Sequence, residues 1–510
     1  MQPLLVLIGS LFLCGTALAV QVPVLVYHDI RDQPGADEYV VSTQAFREQM
    51  AFLKQQGYQP VSLARYADAA AGKSKLPEKP IVLSFDDGLV SFRDIAVPVL
   101  AEYSFPAVLS VVTGWVDGNQ VPDDYRGRLL TWEQLRSLSR SPLVEVLSHT
   151  DNLHHGVLAN PQGNLTPATI TRRYDVQARR YESETDYRKR IRADLTHSAQ
   201  RLLTELGKSP PGIAWPYGDY NQVLAEEAAA LGFKYQLTLD KEPARTEQFP
   251  RINRVALRAV RTIAAFESTL SFERAHQPLR ILEIELDAMA NSRAADQEQW
   301  LSALLGRARL SRANVALVNP FTRDGAEAFF QNGSVPVRAE VLHRVLHQLR
   351  TRAGIDYLLL RITAVPAVTE AAAELARRHP YDGVLLAANI SKADAAILQK
   401  QFSYHHPGTQ CGQEQGAAWP VCQDFMLVSV DSLAPAHYSA MDDKTALPVY
   451  YLLQNRPDAD GRQVATALHD MRVRGARNYG LHDGPFLENP EYLRRVATEL
   501  AAHSPPGTRY

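Results

Sequence analysis

Ile81-Val-Leu-Ser-Phe-Asp86-Asp87-Gly88 is the stretch on which the reading of the chain turns. A short apolar run bounded by polar residues reads as a buried strand. This one ends on two adjacent carboxylates and on a Gly that lets the backbone turn, at the end where an α/β sheet presents its active-site loops. One carboxylate can bind a metal while its neighbour accepts a proton from water. Alone, Asp-Asp-Gly is also the composition of a solvated turn, so its meaning depends on what surrounds it.

Outward from that strand, short apolar runs alternate with helical patterns from Val22 to about Phe272. Strands are predicted at Val22–Tyr27, Ala107–Val112, Leu143–Leu147, Ile213–Trp215 and Tyr235–Leu239. Ser42 caps a helix that carries Phe46, Met50 and Leu53 on one face and ends at Gly57, and a second helix over Gln222–Leu231 stops at Gly232. Repeated β-then-α units imply a parallel sheet or barrel. The polar residues 273–280 form the best boundary. Beyond them the alternation restarts, with strands near Ile281–Leu286, Val315–Val318, Tyr357–Leu360, Val384–Leu386, Phe425–Val430, Val449–Leu453 and Tyr479–Leu481. Helices over Gln297–Leu310, Ala339–Thr351 and Arg462–Val473 separate several of them. This predicts a (β/α) barrel close to the usual eight strands, and a region of roughly 230 residues predicts shortened loops or a missing element against the ordinary ~250.

Composition narrows the function. With 54 Lys+Arg against 56 Asp+Glu over 510 residues, no global basic field exists to hold nucleic acid or an anionic membrane. Hydrophobic residues at 45% and charged residues at 22% suffice for ordinary cores. Leu4–Leu13 is an apolar run followed by Ala17-Leu18-Ala19, which reads as a secretory signal peptide cleaved after Ala19. Cys14 raises the alternative of a lipid anchor, but Leu11-Phe12-Leu13 lacks the small residue usual just upstream of a lipidated cysteine. The mature chain keeps only Cys411 and Cys422, an even pair in an oxidising compartment, read as one local disulfide, with two free thiols as the alternative.

Three further segments bear chemistry. Ser148-His149-Thr150-Asp151-Asn152-Leu153-His154-His155 places imidazoles five apart, and they can converge on one ion if the segment turns between them. With Asp87 they make a 2-His-1-carboxylate set that leaves positions open for water and substrate, a far more specific signal than its parts. Tyr27-His28-Asp29 puts a His at the end of the first strand, and Trp215-Pro216-Tyr217-Gly218 puts a kinked aromatic turn at the end of another. Taken singly, His28 also fits a hydrogen-bonded core histidine, and Trp215 and Tyr217 fit packing.

Together these segments resemble the polysaccharide deacetylases of carbohydrate esterase family 4. They are closest to the branch of periplasmic poly-β-1,6-N-acetyl-D-glucosamine N-deacetylases from biofilm-forming Gram-negative bacteria. The resemblance implies Asp86 as general base, Asp87, His149 and His154 as ligands of one divalent ion (Zn, Ni, Co or Fe), and His28 as general acid. Five-residue spacing of the histidines and a His placed before the Asp-Asp motif, a circularly permuted order, are features of that branch; His155 is the second choice for the ligand. The resemblance also implies that Trp215 and Tyr217 wall the substrate groove, with the Tyr217 backbone N–H helping to hold the oxyanion. It covers the second half too, through Gln348–Arg352 and Asn478-Tyr479-Gly480.

The expected organisation is a signal peptide over 1–19, a (β/α) polysaccharide deacetylase barrel over 20–272, a linker over 273–280 and a glycoside-hydrolase-like barrel over 281–510. In the family the strand matching Tyr381–Leu386 runs into a His-Asp-Asp cluster, whereas here it reads Ala387-Ala388-Asn389. A barrel without its carboxylates should bind sugar rather than cut it. Asp287 and Asp431 are the nearby carboxylates that could act instead. The function expected is removal of N-acetyl groups from poly-β-1,6-N-acetyl-D-glucosamine in the periplasm, with an outer-membrane export porin as a possible partner. Rival readings are a peptidoglycan or chitin deacetylase, and a polysaccharide-binding export module with a dead site.

Overall fold

A computed structural model describes residues 20–239, 242–272, 277–290, 294–430, 447–454, 461–483, 487 and 489–501. The proposed signal peptide, Cys14 and Asp431 lie outside the described residues. By packing, the described residues up to His149, with 201–214 and 233–272, form one unit; Thr150–Gln200, Trp215–Gly232 and the residues after 272 form the other.

The first unit is built on a parallel sheet. Its strands run in the order Arg251–Ile252, Tyr235–Leu237, Gly212–Ala214, Val144–Ser148, Ala107–Val111, Pro80–Phe85, Val24–Tyr27 and Val255–Ala256, with Gln59–Pro60 also pairing with Pro80–Phe85. Every residue of Pro80–Phe85 is buried, because both faces are covered: Val82 belongs to one apolar cluster while Ile81, Leu83 and Phe85 belong to another. That double burial is why the strand reads as an unbroken apolar run instead of an alternating one. The two edge strands are separated only by Asn253 and Arg254, which holds the edges within ~11 Å of each other. The sheet is therefore curled into a half-barrel. The helix Thr43–Gln55 starts as its sequence predicts, with the Ser42 side chain accepting the Ala45 N–H, and it buries Phe46, Met50 and Leu53.

The second half contains a closed barrel of eight parallel strands: Arg280–Ile284, Val315–Val318, Tyr357–Ile362, Gly383–Leu386, Gln410–Glu414, Phe425–Val430, Val449–Leu453 and Asn478–His482. The barrel closes with eight strands, so of the two expectations drawn from length a missing strand does not hold. The strand that sequence reading passed over is Gln410-Cys-Gly-Gln-Glu414, which has no apolar run to betray it. Gly412 is required there, since a Cβ would lie 2.1 Å from the Phe425 ring of the next strand. Cys411 is thus on a barrel strand, with the Cα of Cys422 4.9 Å away. Among the described residues, no helix is long and apolar enough to cross a membrane.

Candidate active site

Strand register gathers the predicted residues. Tyr27 pairs with Phe85, Phe85 with Leu109, and Val111 with Ser148, all in parallel. His28, Asp86 and His149 each follow one of these paired residues and emerge at one edge of the sheet. The backbone of the predicted segments is unusual: Asp87, Thr150 and Tyr217 have φ of +75°, +71° and +60°, and Gly88 has +79°. Non-glycine residues in the left-handed region cost of order 1–3 kcal/mol each and persist where the surroundings fix them, commonly at functional sites. Gly88 has a second reason to be Gly, because a Cβ would lie 3.1 Å from Val111 Cγ1.

Asp86 is buried, and Arg254 Nη1 donates to its Oδ1 at 2.8 Å. Burial alone would raise the carboxyl, but the fully buried Arg254 guanidinium, helped by His149 and His28, holds it well below the usual carboxylate range. Asp86 is thereby kept ionised in the interior, with Oδ2 3.9 Å from His149 Nε2. The neighbouring Asp87, also buried, accepts the Tyr125 hydroxyl at Oδ2, 2.9 Å. Burial, reinforced by Asp87, pushes the Tyr125 phenol upward, so it stays a donor.

His149 provides the sharpest observation. Its Nδ1 lies 2.7 Å from the Ala214 carbonyl oxygen. A carbonyl can only accept, so Nδ1 carries the hydrogen and the neutral ring keeps its lone pair on Nε2. That Nε2 is 3.6 Å from Asp87 Oδ1 and 3.9 Å from Asp86 Oδ2. A lone pair facing two carboxylates calls for a cation between them, and a backbone carbonyl behind a ligand imidazole is the usual way of fixing its tautomer. One ligand atom from each of Asp87, His149 and His154 lies within 4.8 Å of the others. The residues present therefore fit a divalent ion.

His154, half-buried, is in this group and His155 is not. The His154 ring packs 4.6 Å from that of Tyr217, which is 48% exposed. His28 is half-buried with its ring 4.9 Å from Tyr39. Trp215 departs from expectation: its side chain is fully buried, so it packs in the interior and does not line a groove. Arg254 and Tyr125 were missed by sequence reading. The one available signal was Arg254 beside an apolar strand residue, since an arginine drawn inside must have a partner.

The barrel mouth also differs from expectation. Ala387-Ala388-Asn389 indeed brings no acid, but other strands do. Side chains alternate along a strand, so Ile281, Leu359 and Phe425 point into the barrel, and Glu283 and Arg361 fall on the inward series above Ile281 and Leu359. Arg361 pairs with Glu283 at 2.7 Å and with Glu414, and His482 Nδ1 lies 3.1 Å from Glu283. Asn319 donates its amide to Glu285 at 2.8 Å. Burial favours the neutral form of both glutamates; the His482 hydrogen bond and Arg361 overcome this for Glu283, whereas Glu285, beside Glu283, is pushed up. Glu283, Glu285 and His482 form a second group with ligand atoms within 4.8 Å of one another. Here, unlike at His149, Arg361 already supplies fixed positive charge beside Glu283, and the Glu283 hydrogen bond raises the pKa of His482 against the effect of burial.

Residues 73–236 match the family model for polysaccharide deacetylase. The poly-β-1,6-N-acetyl-D-glucosamine N-deacetylase of Escherichia coli (strain K12) is 34% identical over 345 residues, covering 65% of this chain and 51% of the relative. The chain thus spans about half the length of the curated E. coli relatives it matches. A solved de-N-acetylase from Aggregatibacter actinomycetemcomitans is 33% identical and covers 49% of this chain and 100% of its own, with a TM-score of 0.45. A glycoside hydrolase domain from Bordetella bronchiseptica covers 44% of this chain and 100% of its own at 15% identity and a TM-score of 0.39. The segment that holds Asp86, Asp87, His149 and His154 is thus the part of the chain that matches the polysaccharide deacetylase family model.

Proposed function

We propose that this chain is a metal-dependent N-deacetylase of poly-β-1,6-N-acetyl-D-glucosamine, acting on exopolysaccharide in the periplasm. The observation that carries the reading is the His149 imidazole, locked by the Ala214 carbonyl with its lone pair toward Asp86 and Asp87. The substrate is taken from the name of the E. coli relative.

Asp87, His149 and His154 would hold the ion; Zn, Ni, Co or Fe each suit two imidazoles and a carboxylate. When bound, a divalent ion supplies Lewis acidity toward a water molecule and the acetamide carbonyl. Asp86, ionised by Arg254, takes the proton of the attacking water at Oδ2. The Tyr217 backbone N–H donates to the developing oxyanion, and His28 gives a proton to the departing amine. The products are acetate and a glucosamine unit. Mass spectrometry of poly-N-acetylglucosamine oligomers incubated with the protein should show stepwise loss of acetyl groups, and oligomers left unchanged would count against the reading.

The same reading includes a signal peptide over 1–19, a deacetylase domain over 20–272, a linker over 273–280, a Cys411–Cys422 disulfide and an outer-membrane export porin as partner. The barrel over 281–510 binds the polymer without cutting it. Glu283 is committed on both oxygens, to Arg361 and His482, and so is poorly placed to act as a nucleophile.

A further inference from the structure

His149 and His154 are five residues apart, a spacing that brings two imidazoles to one ion only if the intervening backbone makes a tight turn. Something must hold that turn, since Thr150 is left-handed at φ +71°. Both oxygens of the Asp194 carboxylate are spent on it. Oδ1 accepts the Asp151 N–H at 2.9 Å and Oδ2 accepts the Asn152 N–H at 2.7 Å. Asp194 lies on the helix Glu184–Leu206, whose buried Ile191, Leu195 and Ser198 seat it firmly. Three residues along the same helix, His197 Nδ1 lies 3.0 Å from Asp151 Oδ2. Thr150 Oγ1 closes the turn by accepting the Leu153 N–H at 3.3 Å.

We infer that Asp194 is a positioning residue for the metal site, fixing the Asp151–Asn152 turn so that His149 and His154 converge. The inference rests on the proposed metal set. A carboxylate accepting two backbone N–H groups makes strong charge-assisted bonds and satisfies two donors at once. Take it away and the turn loses both acceptors, leaving the left-handed Thr150 free to relax and the two imidazoles to drift apart.

The test measures Zn²⁺ and Co²⁺ affinity of the full chain by competition with a chromogenic chelator, alongside the melting temperature of the metal-free protein. Asp194→Asn keeps the shape but sets an NH₂ against a backbone N–H. It should weaken both metals about 10- to 100-fold, the usual effect of losing an outer-shell support, and should change the Co²⁺ absorption spectrum. His149→Ala is the control for the site itself. If His149→Ala loses metal while Asp194→Asn binds within about twofold of the natural chain, the inference is overturned and the metal site stands. If His149→Ala also binds normally, the metal reading fails and takes this inference with it. Should Asp194→Asn not fold, His197→Ala decides, because that side chain is 56% exposed: weaker binding with an unchanged melting temperature supports the inference, and unchanged binding overturns it.

Discussion

Replacing Arg254 by Met should abolish turnover through a residue that never reaches the substrate. Arg254 Nη1 is 2.8 Å from Asp86 Oδ1, and both side chains are buried. Unit charges with centres about 4 Å apart attract by about 4 kcal/mol at an effective dielectric of about 20. Part of that offsets the desolvation of the two ions, but removing one partner leaves the other charged and alone, which costs about 3–5 kcal/mol. Asp86 escapes by taking a proton, and a protonated carboxyl cannot act as base, so kcat should fall by about 10²–10⁴. Removing both charges in Asp86→Asn/Arg254→Met should restore much of the stability without the activity. Urea unfolding of the natural chain, both single variants and the double variant forms a cycle, with an expected coupling of about 3 kcal/mol. Arg254→Met with ordinary turnover, or a coupling under about 0.5 kcal/mol, would refute the reasoning.

Metal content should fall along with activity in Asp87→Asn, His149→Ala and His154→Ala, whereas Asp86→Asn should keep its metal and lose turnover; an inactive His155→Ala beside an active His154→Ala would show that the wrong histidine has been assigned. The barrel should weaken in acid: His343 and His379 are buried with rings 5.4 Å apart, and burial, aided by His347, pulls His343 down to about 4. The unfolded chain then binds the proton first, so stability is fully present above about pH 6.5 and declines towards pH 4, by about 3 kcal/mol for a shift of that size. Urea midpoints for His343→Leu that fall with acid as steeply as those of the natural chain would contradict this. The barrel should also leave chain length unchanged when the full chain meets partly deacetylated polymer, and shorter oligosaccharides that vanish on Glu285→Gln would show that the acid had moved to the first barrel strand.

What the sequence made legible was whatever is local. Strand ends carrying Asp86, Asp87 and His149 could be read because apolar runs and the motifs that follow them are contiguous in the chain. Arg254 meets Asp86 across 168 residues, Tyr125 meets Asp87 across 38, and Asp194 meets the histidine loop across more than 40; pairings of that span have no periodicity to announce them. The strand Gln410–Glu414 hid for a different reason. Its inward Gly412 makes room for Phe425, so the apolar residue that fills the space belongs to the next strand. Trp215 could be placed at a strand end but not oriented, since an indole serves a core as well as it serves a sugar.

The central claim is hydrolysis of the acetamide by the Asp87–His149–His154 centre with Asp86 as base. The most direct measurement is acetate release from poly-β-1,6-N-acetyl-D-glucosamine oligomers by the full chain, before and after chelation and again after reloading with one divalent metal. Acetate should form, stop on chelation, return on reloading, and stay absent in Asp86→Asn even though that variant takes up the metal. Acetate release that survives chelation, or that persists in Asp86→Asn, would contradict the account.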